Sequence, residues 1–142
     1  MKRTPPCILL IDDNEHGLLA RQTLLRQQGY EVAIASSGGD GLAQFSKQSF
    51  DVVVTDYRMP DLNGSEVIAQ IRSLNKEVPI VMLSGYVEKI GLTEEQIGAD
   101  IVLAKGPEED RDLMRAVGRL VKKKPQSEQA RARKARRRRA GI

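Results

Sequence analysis

Tryptophan is absent from this chain of 142 residues, cysteine and histidine occur once each, and aromatic residues make up only 4%. With so few ring side chains and 40% hydrophobic residues, the predicted core is aliphatic. The single Cys7 can form no disulfide within the chain, which is typical of proteins from a reducing compartment. One histidine and one cysteine are too few for a closed zinc site, so the composition argues against one.

The sequence also lacks a long apolar run. No stretch reaches the roughly 20 residues that a transmembrane helix needs, so none is predicted. Basic residues precede the apolar run 7–11, as they do in a signal peptide, but this run is short and is followed at once by two aspartates. The sequence therefore predicts a cytoplasmic protein.

Positive charge is concentrated at the C-terminus. Residues 122–142 hold ten basic residues and one acidic residue, a net charge of +9, whereas residues 1–121 carry a net charge of −5. This division predicts an acidic domain over residues 1–123 and a basic tail over residues 124–142, either disordered or a marginal helix. The tail is suited to non-specific contact with nucleic acid or another anionic surface, and a solvated extension without a partner is the equal alternative.

Five short apolar runs alternate with helical patterns. The runs that predict strands are 7–11, 31–35, 51–56, 79–85 and 99–105, and helical patterns begin near residues 15, 37, 65 and 108. A weaker helical pattern, starting near Glu94, separates the fourth run from the fifth. Strands that alternate with helices indicate parallel βαβ units with right-handed crossovers. The predicted fold is an α/β, doubly wound, five-stranded parallel sheet with helices on both faces.

Side chains able to do chemistry stand at the ends of four predicted strands. Asp12 and Asp13 follow the first strand, Asp56 ends the third, Ser84 lies in the fourth and Lys105 ends the fifth. In a parallel sheet these ends share one edge, where a binding site is expected. Carboxylates at close range repel each other unless a cation is present. An all-oxygen cluster suits Mg²⁺ or Mn²⁺, and a carboxylate such as Asp56 can act as a nucleophile.

The motifs LLIDDN, VVVTDYRMPDLNG, PIVMLSGY and VLAK, with their spacing, resemble the receiver domain of two-component response regulators. The similarity runs from about Cys7 to Lys123, and the small chemotaxis regulator has this fold. It implies a flavodoxin-like sheet with strand order 2-1-3-4-5. It also implies a phosphoprotein of phosphorelay signal transduction rather than an enzyme.

The resemblance implies a role for each residue at the strand ends. The residue at Asp56 would accept a phosphoryl group from a sensor histidine kinase or phosphotransfer protein. The implied metal ligands for Mg²⁺ (or Mn²⁺) are Asp12, Asp13, Asp56 and the backbone carbonyl of Arg58, and the implied phosphoryl-binding groups are Ser84 and Lys105. The expected function is a stand-alone receiver that signals by contact with an unidentified output protein.

Each of these residues also has a simpler interpretation. Asp12 or Asp13, taken alone, is expected to be the N-cap of the first helix. Ser84 and Lys105 alone would be ordinary turn and loop residues, and His16 is expected to be a surface histidine. Only the joint occurrence of these side chains at four strand ends favours a site.

Three departures from the family pattern leave an alternative open. The family commonly has Lys-Pro after the fifth strand and an aromatic residue three positions before the lysine. Here Gly106 follows Lys105, and the earlier position holds Val102. The helix before the fifth strand is also weak, and Tyr86 is a hypothetical substitute for the missing ring. The alternative is a degenerate receiver that acts as a phosphorylation-independent interaction module, with its basic tail on nucleic acid or an acidic surface. An aspartate phosphatase is disfavoured because Arg58 stands where a second acid is usual.

Overall fold

Strands of four or five residues alternate with longer helices along the chain. The computed structural model describes residues 4–85 and 97–123. Its elements are β1 (Cys7–Ile11), α1 (Glu15–Gln27), β2 (Glu31–Ala35), α2 (Gly38–Lys47), β3 (Val52–Asp56), α3 (Gly64–Leu74), β4 (Ile80–Ser84), β5 (Ile101–Ala104) and α4 (Glu109–Lys123). The predicted strands at 51–56, 79–85 and 99–105 are thus shorter than expected at one or both ends.

The five strands form one parallel sheet in the order β2-β1-β3-β4-β5. This arrangement confirms the predicted doubly wound fold and its strand order. All five strands run in the same direction. The residues that follow the strands therefore lie at one edge of the sheet, the edge formed by the carboxyl ends. No helix among residues 4–85 and 97–123 is long and apolar enough to cross a membrane.

The core consists of two aliphatic layers, one on each face of the sheet. Alternate residues of β1 point to opposite faces, so Ile8 and Leu10 join one layer while Leu9 and Ile11 join the other. The first layer packs against α1 and α4, and the second against α2 and α3. Burial on both faces explains why the sequences of the central strands consist mainly of consecutive apolar residues.

Polar side chains begin three of the helices. Asn14 caps α1 by accepting a hydrogen bond from the Gly17 amide at 3.0 Å. The expectation that Asp12 or Asp13 is this cap is therefore wrong, because α1 starts one residue later than that role requires. Ser37 caps α2, and Asn63 forms a capping box with Glu66 at the start of α3.

The helical face of α1 departs from a simple apolar stripe. Leu18 and Leu25 are buried, but Leu19 is 46% exposed because it lies outside the face that meets the sheet. Arg21 lies between Leu18 and Leu25 on the core side of the helix and is also buried. The predicted helix near Glu94, Tyr86 and the basic tail lie outside the described residues.

Candidate functional site

The sheet register brings the predicted site residues to one edge. Asp56, the last residue of β3, stands beside Leu83, and Ser84 at the end of β4 stands beside Ala104. Lys105 follows β5 directly, and its amide donates to the Ser84 carbonyl at 3.1 Å. Asp12 follows β1 directly. Neighbouring parallel strands thus deliver the acids, the hydroxyl and the ammonium to the same place.

Three of these carboxylates form what we call the acid cluster, Asp12, Asp13 and Asp56. One oxygen from each lies within 4.8 Å of the others, with Asp12 and Asp56 buried and Asp13 exposed. Hard oxygen donors with one side open to water are the ligands that Mg²⁺ prefers. The residues present therefore fit a divalent cation.

Lys105 forms an ion pair with Asp56, one of the two buried acids of the cluster. Its Nζ lies 2.6 Å from Oδ1 of Asp56, whose side chain is only 6% exposed. Burial raises the pKa of Asp56 above its ordinary value, and the negative charge of Asp12 adds to this effect. The hydrogen bond from Lys105 opposes it. The ionised carboxylate is therefore held in a place that disfavours its charge.

The raised pKa makes a prediction about stability without added metal. The folded protein binds this proton more tightly than the unfolded chain does, so the stability contributed by Asp56 falls as the pH rises through its raised pKa. At neutral pH in EDTA, Asp56→Asn is expected to unfold at a temperature a few degrees higher than wild type, on the order of 1 kcal/mol. Thermal unfolding at pH 5 and pH 7.5 checks this, with the exposed Glu77→Gln as control. An Asp56→Asn variant no more stable than wild type at pH 7.5 contradicts it.

The loop after Asp56 turns the chain away and leaves the carboxylate accessible. Its closure depends on Gly64, whose amide donates to the Tyr57 carbonyl at 2.7 Å. A side chain at this position would place its Cβ 2.6 Å from the backbone oxygen of Asp56, which explains the glycine. Asp61 fixes the other side of the loop by accepting hydrogen bonds from the Gly38 and Gly39 amides at 3.1 and 2.8 Å. These backbone donors, led by Gly39, lower the pKa of Asp61.

A small cleft opens over the acid. Its volume is about 90 Å³, and it is lined by Asp56, Tyr57, Arg58, Ser84, Gly85 and Lys105. Arg58, whose backbone carbonyl is predicted as a metal ligand, is thus next to the acid, and Asp13 and Arg58 also line an adjoining hollow. The structure brings together all the residues predicted for the site.

The sequence did not predict the role of Arg21 in the site. One guanidinium nitrogen lies 2.5 Å from Oδ2 of Asp12 and the other lies 2.9 Å from Oε2 of Glu109, the first residue of α4. The signal available in the sequence was the spacing of Leu18, Arg21 and Leu25, which places an arginine on the buried face of α1. A buried arginine requires anionic partners. Its partner Glu109, far along the chain, could not be read from that spacing.

The departures from the family pattern are visible in the described part. Val102 on β5 is partly buried and packs against the layer beneath α2 and α3. Gly106 has open space around it, since a Cβ at this position would meet no heavy atom within 4 Å beyond its neighbours in the chain. His16 is exposed on the first turn of α1, as predicted.

Comparison with known proteins agrees with this geometry. Residues 8–118 match the family model of the response regulator receiver domain. The transcriptional regulatory protein ZraR of Salmonella typhimurium is 39% identical over 79 residues, which cover 56% of this chain and 18% of that protein. The chain therefore spans about a fifth of the length of this curated relative.

Solved structures give the same result. A receiver domain from Clostridium thermocellum is 32% identical, with a TM-score of 0.76 over 84% of this chain and 96% of that one. The response regulator protein TrrA of Thermotoga maritima, solved in complex with Mg(2+)-BeF, is 29% identical, with a TM-score of 0.73 over 81% and 98%. Receiver domains are non-enzymatic signalling modules that interact with histidine kinases or phosphotransfer proteins. With its family match from residue 8 to residue 118 and its acid cluster at the carboxyl edge of the sheet, the chain belongs to the response regulator receiver domain family of two-component systems.

Proposed function

We propose that this chain is a phosphorylation switch whose phosphoacceptor is Asp56. A carboxylate oxygen of Asp56 attacks phosphorus of a phosphohistidine, the P–N bond breaks, and the imidazole leaves as an acyl phosphate forms. The donor is a sensor histidine kinase or a phosphotransfer protein. The observation that carries the proposal is the Lys105–Asp56 ion pair of 2.6 Å beside two further carboxylates at one sheet edge.

The other site residues have complementary roles in this proposal. Lys105 stabilises the negative charge that develops on the transferred oxygens, and the Ser84 hydroxyl, beside the same cleft, donates to the phosphoryl group. Asp12, Asp13 and Asp56, together with the Arg58 carbonyl, would hold Mg²⁺ or Mn²⁺. When bound, the cation offsets the repulsion among the carboxylates and the phosphoryl oxygens. The likeness to TrrA, solved with Mg(2+)-BeF, supports this assignment.

The dependence on a divalent cation can be tested with the purified chain. Intact mass is measured after incubation with phosphoramidate, a small donor with a P–N bond, in Mg²⁺ or in EDTA. We expect one added HPO₃ unit per chain in Mg²⁺ and almost none in EDTA, because Lys105 and Arg21 alone do not neutralise three carboxylates, and the remaining negative charge repels the incoming anion. An adduct that forms equally well in EDTA contradicts the proposed metal site. Burial raises the pKa of Asp56, so a smaller fraction of it is ionised as the pH falls, and labelling is expected to slow in that direction.

A second candidate is a degenerate receiver that binds its partner without phosphorylation. It is favoured by the aliphatic Val102 at the position of the family's aromatic residue and by Gly106 after the site lysine. The same mass measurement separates the two candidates when a phosphorylated phosphotransfer protein is used as a second donor. Absence of an adduct from both donors, with the protein folded, favours the degenerate receiver.

We propose further that the signal passes to an output protein by direct contact in the cytoplasm. A single partly buried cysteine is compatible with that compartment. We propose that the basic tail, residues 124–142, binds an acidic partner surface or nucleic acid. This binding depends on the charge of the partner and not on its sequence. The stand-alone arrangement stays a prediction.

A further inference from the structure

Arg21 is a buried cation that belongs to neither layer of the aliphatic core. It lies on the sheet-facing side of α1 and is 9% exposed. Burial works to lower the pKa of Arg21, but hydrogen bonds to Glu109 and Asp12 outweigh this and raise it, so its charge is fixed. A permanent positive charge in this position must be held by anions.

The two anions come from different parts of the fold. Asp12 belongs to the acid cluster and Glu109 begins α4, and the guanidinium uses one nitrogen for each, at 2.5 and 2.9 Å. The fork of a guanidinium suits this double contact, which a lysine ammonium could not make with the same geometry. We call Arg21 with these two carboxylates the Arg21 bridge. It joins the site to the helix that packs beside α1.

Both oxygens of Asp12 are engaged in this arrangement. Oδ2 accepts from Arg21, and Oδ1 accepts from the Asn14 amide at 2.9 Å. A divalent cation that uses Asp12 must therefore share this carboxylate with Arg21 or displace it. Because Arg21 is a cation itself, its presence also repels a second cation at short range.

We propose that the Arg21 bridge couples cation binding in the acid cluster to the start of α4. Without a divalent cation, Arg21 is shared between Asp12 and Glu109. When a cation binds at Asp12, Arg21 is released from that carboxylate and is held by Glu109 alone. The inference rests on the proposed metal site and adds a regulatory residue to it.

The bridge offers a route from the site to the molecular surface that needs no aromatic side chain on β5. In this chain Val102 has no ring to rotate, whereas the Arg21 bridge ends on the first turn of α4. A stronger Arg21–Glu109 contact would fix this turn and the adjoining face of α1. These two helices pack together on the same face of the sheet, where an output protein could detect the change.

The first test is cation affinity, measured as free Mn²⁺ by electron paramagnetic resonance without any phosphodonor. Arg21→Gln is expected to bind Mn²⁺ about tenfold more tightly, because a competing positive charge is removed. Glu109→Gln is expected to bind it about threefold more weakly, because Arg21 then has only Asp12 as a partner. The matched control is Glu108→Gln, which removes the same charge from the neighbouring residue, where the carboxylate pairs with Arg111 at the surface. Its affinity for Mn²⁺ should lie within about 1.5-fold of the wild-type affinity.

The second test is hydrogen exchange of the amides at residues 109–113, with and without Mg²⁺. Mg²⁺ is expected to slow this exchange about twofold or more in wild type and in Glu108→Gln, and to have no effect in Glu109→Gln. Arg21→Lys keeps the buried charge and gives a variant for use if Arg21→Gln does not fold. It is expected to bind Mn²⁺ within about twofold of wild type while losing the effect on α4.

The outcomes separate this inference from the proposed function. Wild type that binds Mn²⁺, together with an Arg21→Gln or Glu109→Gln affinity equal to it, overturns the Arg21 bridge and leaves the metal site standing. Wild type that binds no Mn²⁺ contradicts the proposed metal site. In that case binding gained by Arg21→Gln supports the competition by Arg21, and no binding by either protein overturns the inference as well.

Discussion

Replacing Asp56 by asparagine is expected to abolish the phosphoryl adduct while leaving the fold intact. The amide has nearly the same shape as the carboxylate, but its oxygen is a poor nucleophile and it carries no charge to pair with Lys105 at 2.6 Å. The intact mass of the variant after treatment with phosphoramidate and Mg²⁺ should equal that of the untreated protein.

Asp40→Asn is the control for this result, because Asp40 is exposed on α2 and lies outside the acid cluster. It should be labelled as fully and as fast as wild type. An adduct that persists in Asp56→Asn would mean that another carboxylate accepts the phosphoryl group. The loss of labelling in both variants would mean that the fold, rather than the nucleophile, had been damaged, and thermal unfolding would show it.

The second large effect is expected from Lys105→Gln. Two cationic residues, Lys105 and Arg58, line the cleft over Asp56. The loss of Lys105 leaves the charge that develops on the transferred oxygens without its closest partner, and we expect labelling by phosphoramidate to slow about 100-fold. The rate of mass gain at saturating Mg²⁺ measures this effect.

The Lys105→Gln variant is expected to bind the divalent cation more tightly than wild type, although it is labelled more slowly. Removing one positive charge next to three carboxylates is expected to tighten Mn²⁺ binding, so a slow rate cannot then be explained by a lost metal ion. Lys76→Gln, at an exposed position before β4, is the control and should change neither quantity. A Lys105→Gln variant that is labelled at the wild-type rate would contradict the role assigned to this lysine.

The fold could be predicted from the sequence because its signals are local. Strands buried on both faces, such as Cys7–Ile11, show as unbroken apolar runs, and the capping residues that begin the helices are neighbours of the positions they cap. The positions of the site residues then followed from topology, since the ends of parallel strands share an edge. Boundaries were less accurate, because the extent of β5 is set by its pairing with β4, which covers only Ile101 to Ala104.

The parts of the site that were missed depend on contacts between distant residues. Nothing in the sequence near Arg21 indicates that its guanidinium reaches both the end of β1 and the start of α4. The N-cap of α1 was misassigned for a related reason, because three consecutive residues at 12–14 can all act as caps and only their geometry selects Asn14. The Asp12 carboxylate is free of that task and accepts from Arg21 instead.

The most direct test of the account is to locate the phosphoryl group on the wild-type chain. An acyl phosphate is reduced by borohydride to an alcohol, which converts the phosphorylated aspartate to homoserine, and peptide mass spectrometry then identifies the position. After labelling in Mg²⁺, we expect homoserine at position 56 and at no other aspartate. Homoserine at Asp12 or Asp13, or complete absence of conversion in a folded protein exposed to both donors, would contradict it.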